Sequence, residues 1–138
     1  ESVEYTTLQY QPDISTKPRL PAASPFFQLV RIEIDPQMGP QYTDYLRRVK
    51  SAGDKFAAAP TTLRHTNLFG PAFVYLSAQP FATWAERAKW AGPGEPLTAA
   101  YGDAEAAKLN EINRNATRSR SIWVVQHRPD LSRIPGTS

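Results

Sequence analysis

The sequence predicts an α+β domain in which four antiparallel strands carry helices on one face, in the order β-α-β-β-α-β. Three observations predict it. Phe26 to Ile34 alternates like a strand and leads into a long amphipathic helical pattern. Two short strand-like runs, Leu63 to Phe69 and Ala72 to Ser77, flank a chain-reversing Gly70-Pro71. The C-terminal third repeats helix then strand and stops at Pro129.

Composition bounds what such a domain can do. With 138 residues the chain is long enough for one core, and with no cysteine it has neither disulfides nor thiolate chemistry. The two histidines, His65 and His127, lie far apart without carboxylates at ligand spacing, so no metal centre is expected. A net charge of +3, with arginines concentrated towards the C-terminus, fits a solvated face better than a nucleic-acid groove. No run is long and apolar enough to span a bilayer. The first residue is Glu1, and removal of an export signal is the reading adopted for it, which points to a periplasmic or extracellular location.

Residues 1–25 read as an extended arm, because Pro12, Pro18, Pro21 and Pro25 exclude a helix. Within the arm, Val3, Tyr5, Leu8 and Tyr10 supply enough β-favouring surface to add a strand to a sheet edge, either of its own domain or of a neighbour. The domain proper is placed at residues 26–133, with a tail over 134–138. In its first strand Val30, Ile32 and Ile34 share one face, while Phe27, Leu29, Arg31 and Glu33 share the other. Gly39-Pro40 opens a helix whose stripe is Tyr42, Tyr45, Leu46, Val49, Ala52, Gly53 and Phe56; Gly53 in that stripe permits a close approach.

After the hairpin, the Thr-x-x-Glu spacing of Thr83 and Glu86 predicts a capped helix running to about Trp90, with Trp84 and Ala88 inward. Residues 91–96, rich in glycine and proline, then read as an excursion on the surface. Asp103 is expected to cap the next helix, with Leu109, Ile112 and Ala116 buried. The last strand spans residues 121–127, with Ile122 and Val124 on one face and Trp123, Val125 and His127 on the other. This order is the ferredoxin-like arrangement. It leaves one sheet face without helices, to which Phe27, Leu29, Phe73, Tyr75, Trp123 and Val125 are assigned, and so much apolar area predicts a homodimer or larger homo-oligomer.

A set of local motifs carries a family likeness. The first strand ends in Asp35-Pro36 ahead of Tyr42 and Tyr45; Phe69-Gly70, Val74-Tyr75, and Pro80-Phe81 with Trp84-Ala85-Glu86 follow; Arg128-Pro129-Asp130-Leu131-Ser132 closes. On these, residues 26–133 resemble the dimeric α/β-barrel superfamily, which includes antibiotic-biosynthesis monooxygenase-like and NIPSNAP-like proteins. The resemblance implies a dimer and a pocket between sheet and helices or in the barrel lumen. The haem-degrading members share an asparagine on the first strand, where this chain has Gln28, Arg31 and Glu33 as its polar residues. No haem or other cofactor is therefore expected.

Arg31, Glu33, His65, Asn67, Tyr75, Trp123 and His127 are read as sharing one face, where most groups useful to a ligand would converge. His65 could exchange a proton near neutral pH and Arg31 could hold an anion or enolate, which makes them the catalytic candidates. Glu33, Asn67, Tyr75, Trp123 and His127 are the ligand-binding candidates. The simpler reading makes both histidines hydrogen-bonded core or rim residues. Function divides accordingly between binding or metal-free transformation of a small apolar or aromatic molecule and a structural subunit whose arm grips its neighbour.

Overall fold

Strand Phe26–Ile34 (β2) shows the alternation its sequence demands: Val30 and Ile34 are buried beneath helices, whereas Phe27, Leu29, Arg31 and Glu33 lie half-buried on the opposite face. The computed structural model describes residues 7–18, 24–69, 73–128 and 130. Strands Thr7–Tyr10 (β1), β2, Leu63–Phe69 (β3), Val74–Phe81 (β4) and Thr117–Gln126 (β5) form one antiparallel sheet in the order β1-β3-β4-β2-β5. The sheet thus has five strands where four were expected. The fifth comes from the arm, whose β1 pairs with β3 of its own chain.

Helix Gly39–Lys55 (α1) follows a single turn capped by Asp35, whose carboxylate accepts from the Gln37 amide at 2.9 Å. Its stripe of Tyr42, Tyr45, Leu46, Val49, Ala52 and Gly53 is buried as expected, whereas Phe56, the last residue of the expected stripe, lies just past the helix and is half-buried. Trp84–Arg87 (α2) is only one turn. Its cap is real: Thr83 Oγ1 accepts from the Glu86 amide at 3.1 Å, and the Glu86 carboxylate accepts from the Ala82 amide at 2.8 Å. Trp84 is not inward as expected; its indole rests on Phe26 and Phe81 yet stays 54 % exposed.

The predicted excursion is partly a helix. Gly94–Tyr101 (α3) buries Leu97 completely and Pro96 with it, then Asp103–Ala116 (α4) buries Ala106, Leu109 and Ala116. Pro93 and Pro96 sit at the start of α3, where an amide has no helical acceptor and proline costs little. Asp103 begins α4 without capping it; the residue before the helix is Gly102, at φ 82°. The core is the layer between these helices and the sheet, centred on Ile34, Tyr42, Tyr45, Leu46, Leu97 and Leu109.

Residues 7–18 belong to this fold. Thr16 exchanges both backbone hydrogen bonds with Thr62 at 2.9 Å, Ile14 is buried in the core, and Ser15 Oγ accepts from the Arg64 amide at 2.9 Å. Lys17 closes the end of α1, its Nζ donating to the Phe56, Ala57 and Ala59 carbonyls and its amide to Asp54. Burial works against the Asp54 carboxylate, but Lys50 and Lys17 outweigh it and hold its pKa below the usual value. Val3, Tyr5 and the 134–138 tail lie outside the described residues.

Candidate functional site

Strand register decides which candidates meet. Tyr10 pairs with His65, His65 with Leu76, Leu76 with Arg31, and Arg31 with Ser121, so these five form one row across the uncovered face. A whole strand therefore separates His65 from Arg31, a spacing of roughly 9–10 Å between backbones. Arg31 instead pairs along its own strand with Glu33 at 3.5 Å. The His65 ring packs against Tyr10, centroids 5.6 Å apart, and its Nδ1 is buried with no hydrogen-bond partner among the described residues. A general base is normally oriented through its second nitrogen, and His65 lacks that support here. Asn67 faces the same side, one step along β3, and pairs with Leu8.

Trp123 shares this face next to Leu29 and is 40 % exposed. His127 lies past the end of β5, exposed, its amide donating to the Pro25 carbonyl at 2.7 Å. Tyr75 and Phe73 depart from the expected face. Tyr75 pairs with Thr66 and Ile32 and points under the helices. Phe73 is a turn residue at φ 63°, and its ring lies against Gly39 at the start of α1. Leu63, Leu76 and Ala78 take their places on the uncovered face.

The covered face holds the better-built site. A cavity of about 410 Å³ lies between sheet and helices, with a buried floor of Val30, Tyr42, Tyr45, Tyr75 and Ser77 and an exposed rim of Gly92, Pro93, Arg114 and Arg120. Its lining residues Gln79 and Thr62 end a hydrogen-bonded chain in which each amide is used. Arg87 Nε donates to Gln28 Oε1 at 2.8 Å, Gln28 Nε2 to Gln79 Oε1 at 2.7 Å, and Gln79 Nε2 to Thr62 Oγ1 at 3.1 Å. At the sheet, Thr43 donates its hydroxyl to the Gly39 carbonyl at 3.0 Å, so the Tyr75 phenol is the donor to Thr43 Oγ1 at 3.1 Å.

Arg64 stands opposite Ser77 in the ladder and borders this cavity. Burial lowers its pKa, partly opposed by Tyr42 and Tyr45, but a guanidinium remains protonated. Burial likewise pushes both phenols up, against the pull of Arg64, which keeps them neutral and able to donate.

Sequence reasoning missed Arg64, Ser77 and Gln79. Their signal was available: Thr62 just before β3 with Arg64 and Thr66 on it, and Tyr75, Ser77 and Gln79 on the next strand, all turn polar groups to the covered face, where an apolar run is the norm. Among the described residues no cluster of His, Asp or Glu could hold a metal ion. Among the described residues no helix is long and apolar enough to cross a membrane. No family model, curated protein or solved structure matches the chain.

Proposed function

We propose that this chain is a ferredoxin-like protomer that binds a small apolar or aromatic molecule between its sheet and helices and pairs with a second copy through the uncovered sheet face. The observation that carries the first part is the cavity: three tyrosines with Val30, Ile32, Leu46 and Val49, and Ser77 and Arg64 set among them, make an apolar chamber with a few converging polar groups. Its volume suits a molecule of one or two rings.

A titration of isotope-labelled protein with 2-naphthol tests this. Amide shifts are expected to cluster at Tyr42, Tyr75 and Ser77 and to vanish when Val30→Phe fills the floor. Shifts scattered over the surface, or unchanged by the filling substitution, would remove the reading.

Pairing is supported by Phe27, Leu29, Leu63, Leu76, Trp123 and Val125, which form an apolar face without helical cover. Trp123 and Val125 are 40 % and 38 % exposed. Light scattering should give twice the chain mass for the unmodified protein and the single mass for Leu29→Glu, which puts a charge at the centre of that face. A monomer before substitution would refute the pairing.

A further inference from the structure

Arg64 has more donors than its fold uses. Its Nη1 donates to the Ile14 carbonyl and, at 3.4 Å, to Thr16 Oγ1, which ties down the amino-terminal segment. A guanidinium carries five N–H groups in a fixed plane. The Nε and Nη2 atoms have no partner among the described residues, and these two form the edge of the fork that grips a carboxylate with two parallel hydrogen bonds.

The charge around this edge is one-sided. Arg64, Arg114 and Arg120 line the cavity, and no aspartate or glutamate does so among the described residues. Acids on the neighbouring elements are already engaged, Asp13 among them with Arg47. Glu105 and Asp44 pair with Arg48, Asp54 with Lys50, and Asp35 with Arg118. Arg64 is half-buried, and a partly desolvated guanidinium without a counter-ion carries a cost that an arriving anion relieves. The tyrosine and valine walls beside it require the rest of that molecule to be apolar.

We infer that the ligand of this cavity is an aromatic or aliphatic carboxylate, its carboxylate held by the Nε–Nη2 edge of Arg64 and drawn in past Arg114 and Arg120 at the rim. This rests on the cavity being the binding site, as proposed above, and adds the charge of what it binds. The phenols of Tyr42 and Tyr45 are neutral neighbours that do not repel the anion.

The test compares 2-naphthoate with its uncharged isostere 2-naphthamide, by calorimetry and by the Arg64 Nε–Hε resonance. Naphthoate is expected to bind roughly 10- to 100-fold more tightly, the range for charge-assisted hydrogen bonds. Only naphthoate should shift the Arg64 Nε–Hε signal. Arg64→Met should abolish the preference while leaving naphthamide affinity within about twofold, a change below ~0.5 kcal/mol. Because Arg64 also holds Ile14, that variant can fail to fold; Arg120→Gln then serves, weakening naphthoate several-fold and naphthamide not at all. Equal affinity of the two compounds, with no Arg64 shift, overturns the anion reading and leaves the cavity reading standing. Failure of both compounds to perturb Tyr42, Tyr75 or Ser77 overturns both.

Discussion

Leu97→Ala is expected to destabilise the protein by roughly 2–5 kcal/mol, the range for emptying a buried leucine site that cannot fully collapse. Leu97 is 0 % exposed and packs in the core with Ala106 and Leu109, so α3 is part of the hydrophobic layer and not a flap on its surface. Urea unfolding measures the effect directly. A loss well below 1 kcal/mol would return residues 91–101 to the status of a surface insertion. The same substitution should loosen the cavity rim, since Pro93 and Pro96 lie on the first turn of that helix and line the cavity.

The second large effect concerns Gly53. A Cβ placed there would lie 2.7 Å from Thr16 Cγ2, and Thr16 cannot yield, because it is 3 % exposed and hydrogen-bonded through both backbone groups to Thr62. Alanine in a helix gains about 1 kcal/mol over glycine, but overpacking of this kind costs roughly 1–3 kcal/mol. Gly53→Ala is therefore expected to be a net loss. Thr16→Ser removes the obstructing methyl, so the double variant should recover stability relative to Gly53→Ala alone. A four-protein denaturation cycle reads this as a coupling of about 0.5–3 kcal/mol. Strict additivity would show that the helix and the segment carrying Thr16 do not approach as closely as described.

Much of the architecture was legible because it rests on period. The alternation of Phe26 to Ile34 and the stripe from Tyr42 to Gly53 each match one face of a regular element, and both faces are where the alternation put them. The helix around Leu97 was not legible, because Gly92, Pro93, Gly94 and Pro96 look like a break when their place in a first turn is unknown. Likewise Pro80 reads as a strand end. It lies within β4, beyond Ala78 where the pairing with β3 finishes, so its missing N–H leaves no bond unmade on that side.

The candidate site was less legible than the fold. Residue type pointed to His65 and Arg31, and register put a strand between them. It also carried Tyr75 to the opposite face from His65 and Asn67. Arg64 was passed over as one of many arginines, since its burial depends on Ile14, Thr16 and α1 arriving from distant parts of the chain.

The short strand β1 has a consequence for how copies of this protein can join. It occupies the rim of β3, spans four of the described residues and has Pro12 two residues past its end, while the opposite rim, β5, carries Arg118 and Arg120. A short strand on one rim and charged side chains on the other disfavour growth by adding strand to strand, which has no natural end. If copies pair through the flat face, as proposed, that face meets its own copy and closes on itself after two.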